Sequence, residues 1–491
     1  MMGLRDLLRP WADSSRLPTI TVTGVTCHSK QVRPGHIFVA IRGTHHDGHA
    51  FLEEARQRGA CALVVERPPE NFLSCPVVQV PDTRRALAAI AAQFYGHVTD
   101  RPRLVGVTGT CGKTTTAYLL KAILEAAGHH AGLVGTIAYE IGARHLPSTN
   151  TTPGSLELQR LLAQMAEQRL DWCAMEVSSH ALDQRRLEGL ELDAAIWTYL
   201  GADHLDYHKT IEHYAEAKRR IFSYLRPDGY AVVNVDDPYG RVAASALSTS
   251  SLVTYGLESD DAMVRVGVIE SYWQGLSLVL ETPWGAIPVH TPLVGRHNIL
   301  NVVAASSACL ALGVPAAALQ HALAEFSQVP GRLERVPNDA DLHVIIDYAH
   351  TADALRAVLL SLRELVRGRL ILVFGCGGDR DRTKRPVMGQ VASLLADYVI
   401  LTSDNPRSED PLEIAQQIRA GFVPGFRDYA MVMDREEAIA SALSIARPDD
   451  GVLIAGKGHE AYQIFDHVTT PFSDRDVIER YVTRSARTLV V

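Results

Sequence analysis

The stretch LVGVTGTCGKTTTAYLL, Leu104–Leu120, places an apolar run, a glycine-rich turn and an amphipathic helix start in direct succession. The strict phosphate-loop pattern G-x-x-x-x-G-K-[ST] is not met, because Val107 stands at the position of its first glycine. Gly109 and Gly112 nevertheless allow the backbone to turn so that successive N–H groups face an anion. An ordinary strand–turn–helix corner is the alternative, but this order of residues favours a nucleotide site.

The charged and hydroxyl side chains of the same stretch fit a phosphate ligand. Lys113 adds a positive charge, and Thr114 and Thr115 offer hydroxyl groups to Mg²⁺. The helix that follows points its N-terminus at the anion, where its dipole favours negative charge. The stretch therefore predicts a bound nucleotide at the start of this helix.

Length and composition indicate a multidomain globular protein. At 491 residues the chain is too long for one core, and we expect about two to four domains. Hydrophobic residues at 47% and charged residues at 21% are typical of a soluble protein. No apolar run reaches about 18 residues, so no membrane insertion is expected, and the N-terminus lacks the apolar core of a signal peptide.

Cysteine spacing and charge narrow the class further. The seven cysteines are scattered without a C-x-x-C pair, which argues against both a disulfide framework and a structural zinc site. A reduced, cytoplasmic protein is expected. The net charge of −8, with no basic tract, excludes nucleic acid as the expected main partner.

The pattern of elements predicts an α/β protein of three domains. We expect a small N-terminal α/β domain over residues 1–100, a central P-loop ATPase-like domain with a parallel sheet over 101–331, and a C-terminal Rossmann-like domain over 332–491. HVTDRPR (97–103) and SQVPGRLERV (327–336) interrupt the apolar patterns and mark the boundaries. Strands that alternate with helices indicate a doubly wound parallel sheet.

The apolar runs give the expected elements. Predicted helices are Thr83–Tyr95 and His297–Leu312, and residues 251–294 are expected to be β-rich and irregular. Predicted strands are Thr19–Val25, His36–Ile41, Ala62–Val65, Val77–Val80, Leu104–Val107, Asp171–Val177, Ala194–Tyr199, Tyr230–Val235, Val344–Asp347, Leu370–Phe374, Tyr398–Thr402, Ala430–Asp434 and Val452–Ala455.

Polar residues lie at the carboxyl ends of several of these strands or within a few residues of them. They are Glu176, Asp347, Asp379, Asp404 and Lys457. Ligands of open parallel sheets bind beyond the carboxyl ends of the strands. Two such sheets, one with a phosphate loop, suggest a reaction in a cleft between a nucleotide and a second substrate.

Three residues of the central block are candidates for catalysis or metal binding. Glu176 ends an apolar strand and is either a buried carboxylate with a partner or an Mg²⁺ ligand. His204 lies in the loop GADHLDYH and is either a ligand or a solvated loop histidine. Lys218 follows Tyr214 by four residues on a predicted helix and precedes Phe222 by four, so it faces inward with them. It is either a charge partner or a chemically modified lysine.

Taken together, these residues resemble the Mur ligases. The motifs occur in the family's order from about Ser29 to Glu460. They are TGTCGKTTT, STNTTP, MEVSSHAL, DHLDYH, AKRRIF, HNILN, PGRLE, DYAHTADAL, FGCGGDRDRTKR, SDNPRSEDP and GKGHE. The sequence departs from the family pattern at two positions. Cys111 replaces the usual asparagine of the phosphate loop, and Ala352 replaces the proline that is common in the DYAHTADAL motif.

The resemblance implies an ATP-dependent amide ligation in peptidoglycan precursor synthesis. A carboxylate of UDP-MurNAc-L-Ala-D-Glu would take the γ-phosphoryl group, and meso-diaminopimelate would attack the resulting acyl phosphate. Two Mg²⁺ ions are implied, with Thr114, Glu176, His204 and a CO₂-derived carbamate on Lys218 as ligands. The implied catalytic residues are Lys113, Glu176, His204 and Lys218. A monomer is expected.

The resemblance also implies three groups of binding residues. Those for ATP are Gly109, Thr110, Cys111, Gly112, Lys113, Thr114, Thr115, Asn298, Asn301, Arg332, Asp347 and His350. Those for the UDP-MurNAc-dipeptide are Ser29, Thr44, His45, His46, Asn150, Thr151, Thr152, Ser178, Gln184 and Arg186. Without the family, Asn150–Thr152 would also fit a helix cap before Pro153.

The third group concerns the incoming amino acid. Implied contacts are Arg380, Asp404, Asn405, Pro406, Arg407, Gly456 and Glu460. DNPR is the form of the motif in the branch that adds meso-diaminopimelate, and the arginine is absent from the lysine-adding branch. A guanidinium pairs bidentately with a second carboxylate, although a surface arginine is the alternative for Arg407.

Rival functions remain at this level. One is another Mur-type ligase, adding D-Glu or D-Ala-D-Ala, or a folylpolyglutamate-type ligase. Another is a non-enzymatic phosphate-loop nucleotide switch, which would show no turnover that depends on a second substrate.

Overall fold

The first domain is built on a small parallel sheet. The computed structural model describes residues 2–43, 46–69, 74–96, 102–247, 251–338 and 342–488. Four strands pair in chain order from β3 to β6, and β1 pairs with β2 beside them. The elements are β1 Met2–Gly3, β2 Thr21–Val22, β3 Gly24–Thr26, β4 His36–Val39, β5 Ala62–Val65, β6 Val77–Gln79, α1 Leu4–Leu8, α2 Leu52–Gln57 and α3 Thr83–Phe94.

The central domain holds an eight-stranded sheet in the order β10-β9-β8-β11-β7-β12-β13-β14. The strands are β7 Arg103–Thr108, β8 Ala131–Val134, β9 Ala138–Ile141, β10 Arg144–Pro147, β11 Trp172–Glu176, β12 Leu192–Trp197, β13 Leu225–Asn234 and β14 Leu252–Tyr255. Its helices are α4 Lys113–Ala126, α5 Ser155–Glu167, α6 Ser179–Asp183, α7 Leu205–His208, α8 Ile211–Arg219, α9 Pro238–Ser245, α10 Arg296–Ala311 and α11 Ala316–Ala324.

Both faces of β7 are covered, which explains its nearly continuous apolar sequence. Val105 and Val107 pack in one core cluster with α4 and α10, whereas Leu104 packs in the cluster on the opposite face. β7 lies between β11 and β12 and runs parallel to both. The loop after it therefore emerges at the carboxyl edge of the sheet, in the middle of the domain.

A separate antiparallel sheet follows in the chain. It consists of β15 Arg265–Tyr272, β16 Gly275–Thr282 and β17 Gly285–Thr291. One face of β16 and β17 is buried in the core cluster that also contains α4 and α10. This sheet accounts for most of the predicted irregular β-rich stretch.

The third domain holds a six-stranded sheet in the order β18-β19-β23-β20-β21-β22, parallel except for β18. The strands are β18 Glu334–Arg335, β19 His343–Asp347, β20 Leu370–Phe374, β21 Tyr398–Leu401, β22 Tyr429–Met431 and β23 Gly451–Ala455, followed by the hairpin β24 Tyr462–Phe465 and β25 Val468–Pro471. The helices are α12 Ala352–Arg363, α13 Lys384–Leu395, α14 Pro411–Arg419, α15 Arg435–Ile445 and α16 Asp474–Thr488.

The α/β fold class and the predicted strands of both large sheets are confirmed, with differences at particular elements. The strand expected over Ala430–Asp434 ends at Met431, because Asp434 instead caps α15 by accepting from Glu437 N. The strands β8, β9 and β10 were not predicted, because β8 begins with Ala131 and Gly132, which are depleted in strands, β9 contains the charged Glu140, and β10 is largely exposed. Among the described residues, no helix is both long enough and apolar enough to span a bilayer.

Candidate active site

The loop between β7 and α4 has the backbone shape that a phosphate loop requires. Gly109 has φ +153° and Gly112 has φ +87°, in the region that favours glycine. A Cβ at Gly109 would collide with the Thr198 hydroxyl, and one at Gly112 would collide with the Asn301 amide oxygen. Both glycines are therefore required by close packing as well as by conformation.

Lys113 lies folded over this loop. Its Nζ donates to the carbonyl oxygens of Gly109, at 2.8 Å, and Thr110, at 3.0 Å. Burial lowers the pKa of the Lys113 ammonium. The Cys111 carbonyl accepts from Thr198 Oγ1 at 2.6 Å, while burial raises the pKa of the Cys111 thiol. The side chain at 111 is thus a neutral thiol, and the loop geometry is held by its backbone.

Glu176 joins two segments beside the start of α4. It is buried at the end of β11, and its Oε2 accepts from Thr114 Oγ1 at 2.9 Å and from Thr136 Oγ1 at 3.0 Å. Its Oε1 accepts from Thr136 N at 2.7 Å. The carboxylate and the Thr114 hydroxyl form a pair of hard oxygen donors of the kind that Mg²⁺ prefers.

Lys218 projects into the site from α8, as the helical spacing predicts. The residue is 1% exposed, its Nζ lies 4.5 Å from the centre of the Tyr214 ring, and it donates to the Gly109 carbonyl at 2.8 Å. Burial, reinforced by the charge of Lys113, holds the pKa of Lys218 well below its usual value. Both effects disfavour the protonated form, so the Lys218 amine is more nucleophilic than that of an exposed lysine.

His204 is the N-cap of α7 and has the left-handed conformation, with φ +54°. Its Nε2 lies 3.5 Å from Asp203 Oδ2, and its ring stands 4.9 Å from that of His180. Desolvation in the cleft, with His180 and Lys113 nearby, lowers the pKa of His204 to about 4. The imidazole is neutral at physiological pH, which is the form that binds metals. Within the described part of the chain, no three His, Cys, Asp or Glu side chains form a preassembled metal site.

Asn298 and Asn301 lie on the first turns of α10, behind the phosphate loop. Both are buried, and Asn301 Nδ2 donates to Asn298 Oδ1 at 3.0 Å. Asn298 Nδ2 in turn donates to the Val294 carbonyl at 2.8 Å. Asn301 Oδ1 also accepts from Thr116 Oγ1 of α4 at 3.5 Å and lies beside Gly112, so the pair is next to the loop for which a nucleotide is predicted.

The third domain reaches the phosphate loop through Arg332. Its Nη2 donates to Thr114 Oγ1 at 3.2 Å, and its guanidinium carbon lies 4.6 Å from the centre of the Tyr348 ring. Asp347 accepts from the backbone N–H of Leu333 and of Ala349, both at 2.7 Å, and burial raises its pKa. Asp347 thus orients the segment that carries Arg332.

His350 follows Tyr348 by two residues, in the same segment of the third domain. It is exposed, its Nδ1 lies 2.9 Å from the Tyr348 carbonyl, and its own carbonyl accepts from Lys384 Nζ at 2.8 Å.

Four of the residues predicted to bind the muramoyl-dipeptide form one hydrogen-bonded group next to Glu176. Thr152 Oγ1 donates to the Glu176 carbonyl at 2.7 Å and accepts from Ser178 N at 3.0 Å. Arg186 Nη1 donates to the Thr152 carbonyl at 2.6 Å, and Arg186 Nη2 donates to Gln184 Oε1 at 3.0 Å.

The STNTTP segment does not cap a helix. Helix α5 begins at Ser155 with Gly154 as its N-cap, so the alternative of a cap at residues 150–152 is wrong. Thr151 Oγ1 lies 3.0 Å from Thr136 Oγ1, and Asn150 is exposed with its carbonyl accepting from Tyr139 OH at 2.7 Å.

The residues predicted to hold the UDP group lie in the first domain. Ser29 begins a 3₁₀ turn after β3 and hydrogen-bonds to Glu54, and the His46 carbonyl accepts from Gly43 N at 2.8 Å. Thr44 and His45 lie outside the described residues, so that part of the prediction stays as it was.

The residues predicted to recognise the amino acid gather on three loops at the carboxyl edge of the third domain's sheet, after β20, β21 and β23. Arg407 has φ +52°, and its Nη1 donates to the Gly378 carbonyl at 2.7 Å. Arg380 is exposed on the neighbouring loop. Glu409 ties the loops together, because its Oε1 accepts from Asp379 N at 2.7 Å and from Arg385 Nη2 at 2.9 Å.

Asn405 and Glu460 form the inner part of the same edge. Asn405 Nδ2 donates to Glu460 Oε2 at 2.9 Å, and Tyr348 OH donates to Glu460 Oε1 at 3.4 Å. Asp404 is buried, and Gly456, with φ +108°, leaves no room for a Cβ beside the Asp404 carboxylate. Pro406 follows Asn405 and leads into Arg407.

Comparison with known proteins gives a match for each of the three domains. Residues 21–95 match the model described as "Mur ligase family, catalytic domain", residues 107–309 match "Mur ligase middle domain", and residues 331–458 match "Mur ligase, glutamate ligase domain". A protein of Geobacter metallireducens named UDP-N-acetylmuramoyl-L-alanyl-D-glutamate--2,6-diaminopimelate ligase is 44% identical over 501 residues, covering 97% of this chain and 98% of the relative. The chain belongs to the Mur ligase family.

Further relatives agree with this Mur ligase along its length. A protein of Geobacillus thermodenitrificans with the same name is 45% identical, covering 93% of this chain and 94% of the relative. A solved structure titled as a UDP-N-acetylmuramoyl-L-alanyl-D-glutamate--2,6-diaminopimelate ligase is 33% identical, with a TM-score of 0.71 and 99% of each chain covered. A MurF ligase of Thermotoga maritima in complex with ADP shares the fold, with a TM-score of 0.65 at 20% identity over 94% of this chain and 98% of that one.

Two residues of this Mur ligase site were missed from its sequence. Thr136 contacts Glu176 from the turn after β8, a strand whose Ala131 and Gly132 give a weak strand signal. Tyr348 stacks under Arg332 and reaches Glu460, and its position inside the DYAHTADAL motif was the available signal. Both join segments that are distant in sequence, so only the packed structure reveals their role.

Proposed function

We propose that this Mur ligase joins meso-diaminopimelate to UDP-MurNAc-L-Ala-D-Glu at the expense of ATP. The proposal is supported by one continuous set of contacts from the phosphate loop to the amino-acid loops. Thr114 contacts Arg332 at 3.2 Å, Arg332 stacks on Tyr348 at 4.6 Å, and Tyr348 reaches Glu460 at 3.4 Å. A nucleotide site and an amino-acid site that are connected in this way suit a reaction that couples ATP to amide formation.

In the proposed reaction, a carboxylate oxygen of the D-Glu residue attacks the γ-phosphorus of ATP, and the bond to the β-phosphate oxygen breaks to release ADP. The amine of diaminopimelate then attacks the acyl carbon, an amide bond forms, and phosphate leaves with its bonding electrons while the amine loses a proton. Water would destroy the acyl phosphate, so closure of the third domain on the central one protects it.

Residues of the chain have separate tasks in this scheme. The loop amides and Lys113 hold the β- and γ-phosphates, where positive charge and N–H donors stabilise the transition state. Arg332 reaches the same phosphates from the third domain. The Thr152, Ser178, Gln184 and Arg186 group holds the dipeptide beside Glu176.

The site fits divalent cations, on the evidence of its donors. Thr114 and the buried Glu176 would hold one Mg²⁺, and His204 with Lys218 as its carbamate would hold a second. When bound, the two ions neutralise the charge that ATP and the carboxylate bring together. The low pKa of Lys218 supports carbamylation, because only the neutral amine adds to CO₂.

The choice of amino acid is supported by the loop of Asn405 and Arg407. A diamino dicarboxylate needs a cation for its second carboxylate and a carboxylate for its distal ammonium, and Arg407 and Glu460 are the available pair. The relatives named above carry diaminopimelate in their names.

The test is an assay of phosphate release and of the ligated product, with each substrate omitted in turn. We expect both signals to require ATP, the dipeptide nucleotide and meso-diaminopimelate together. A panel of L-lysine, D-glutamate, D-alanyl-D-alanine and folate substrates examines the rival ligases. Phosphate release independent of any amino acid would instead support a nucleotide switch.

A further inference from the structure

Lys457 is a fully buried cation that the proposed reaction leaves without a task. It follows β23, in the motif GKGHE, and its relative exposure is 0%. An ammonium withdrawn from water is costly unless charged or polar partners surround it. Its partners therefore indicate why it is there.

Both polar partners of Lys457 belong to the proposed amino-acid site. Its Nζ lies 3.2 Å from Glu460 Oε2 and 3.3 Å from Asn405 Oδ1. Asn405 Nδ2 also donates to Glu460 Oε2, at 2.9 Å. The three side chains form a closed triangle, with the ring of Tyr462 centred 5.4 Å from Nζ.

This triangle determines how the Asn405 amide is oriented. Its Oδ1 accepts from Lys457 Nζ and also from the backbone N–H of Ile464, at 3.0 Å. Since an ammonium and an N–H are both donors, the amide oxygen must face them and the NH₂ group must face Glu460. Lys457 and the Ile464 N–H together exclude the flipped amide.

The same triangle orients Glu460. Oε2 is engaged by Lys457 and Asn405, whereas Oε1 is contacted by Tyr348 OH at the longer distance of 3.4 Å. Oε1 is consequently the oxygen left to accept a strong hydrogen bond from a ligand ammonium.

We propose that Lys457 is a positioning residue for amino-acid recognition, which fixes the Asn405 amide and turns Glu460 Oε1 toward the distal ammonium of the incoming diamino acid. The inference rests on the proposed function. Binding to a preorganised site avoids the cost of ordering these side chains, so loss of Lys457 should weaken amino-acid binding more than it slows the phosphoryl step.

The first measurement compares Lys457→Met with wild type in the complete ligation assay. We expect KM for meso-diaminopimelate to rise roughly 10- to 100-fold, as for the loss of a charged hydrogen bond, with KM for ATP changed by less than about twofold. Lys121→Met is the matched control, because Lys121 also pairs with carboxylates, Glu125 and Glu140, but lies on α4. The control should keep the wild-type KM for the amino acid.

The second measurement is a double-mutant cycle with Glu460→Gln. If Lys457 acts through Glu460 and Asn405, Lys457→Met should change KM by less than about threefold in the Glu460→Gln background. Multiplicative effects of the two substitutions would overturn the inference. So would an unchanged KM for the amino acid accompanied by a fall in kcat alone.

Folding is monitored by thermal melting and by ADP binding to each variant. Should Lys457→Met not fold, Lys457→Gln, which keeps a donor but loses the charge, is used in the same cycle. If neither variant folds, Lys457 serves stability and the inference is overturned. Failure of wild type to use meso-diaminopimelate would refute the proposed function itself, which is a separate outcome.

Discussion

Lys113 and Lys218 converge on a single acceptor, the carbonyl oxygen of Gly109, to which each donates over 2.8 Å. Lys113 comes from the start of α4 and Lys218 from α8, so two elements far apart in sequence bring two amines to one point. Two ammonium groups so close repel one another, which contributes to the low pKa of Lys218. The proton on Lys218 is therefore held less tightly than on an exposed lysine, and its amine is the better placed for carbamylation, so the two lysines should respond differently to substitution.

Replacement of Lys113 tests the role of its positive charge at the phosphate loop. Lys113→Ala removes a charge that matters most as negative charge redistributes in the transition state, and we expect kcat to fall roughly 10²- to 10³-fold or more. The measurement is ATP-dependent ligation by a variant whose melting temperature is unchanged. Lys121→Ala, on the same helix, is the control. Near-normal turnover by Lys113→Ala would remove this loop from the mechanism.

Replacement of Lys218 tests whether its amine acts as a carbamate. Lys218→Ala should be nearly inactive and partly rescued by short carboxylic acids, which can replace the carbamate oxygens. Lys218→Arg should stay inactive, because a guanidinium remains protonated and does not form that carbamate. Arg219→Ala, at an exposed neighbouring position paired with Glu216, should behave as wild type. Full activity of Lys218→Arg would show that only positive charge was needed.

The loop arginine tests the choice of amino acid. L-Lysine lacks the second carboxylate of diaminopimelate and would leave Arg407 without its partner, at a cost on the order of 2–5 kcal/mol. We therefore expect kcat/KM for meso-diaminopimelate to exceed that for L-lysine roughly 30- to 5000-fold. Arg407→Ala should lose most diaminopimelate activity without gaining lysine activity, because the rest of the pocket keeps its shape. Equal use of both amino acids by wild type would contradict this role.

The Glu409–Arg385 pair makes a prediction about acid stability. A bidentate bond from Arg385 lowers the pKa of Glu409 from an ordinary 4.5 to about 2 in the folded protein. Since the folded pKa is the lower one, the stabilisation is complete above about pH 4.5 and is lost as the pH falls toward 2.

The substitution Glu409→Gln should consequently lower the melting temperature at pH 7, with a cost on the order of 2–4 kcal/mol, because it leaves the buried Arg385 without its charge partner. The difference from wild type should narrow progressively between pH 4.5 and pH 3. Glu413→Gln, at an exposed position on α14, is the control. A difference that does not depend on pH would show that charge is not the cause.

Much of this protein follows from local sequence. The apolar run before Gly109, the two glycines and the lysine–threonine pair indicate a strand, a tight turn and a helix start. Burial favours the apolar run as a strand, and only glycine readily adopts the positive φ of the turn. Helical spacing alone placed Lys218 on the buried face of Tyr214, and the structure confirms it. The order of motifs along the chain predicted the Mur ligase family, which the comparisons show.

Only the tertiary structure decided which of these residues meet. Thr114 with Arg332, Tyr348 with Glu460, and Lys457 with Asn405 are each joined across a distance that no local pattern encodes. The strand β8 brings Thr136 to Glu176, although its Ala131 and Gly132 give too weak a strand signal to be recognised. The sequence determined the elements through backbone conformation and burial. Long-range packing determined the site, because hydrogen bonds between distant side chains form only after the sheets have ordered them.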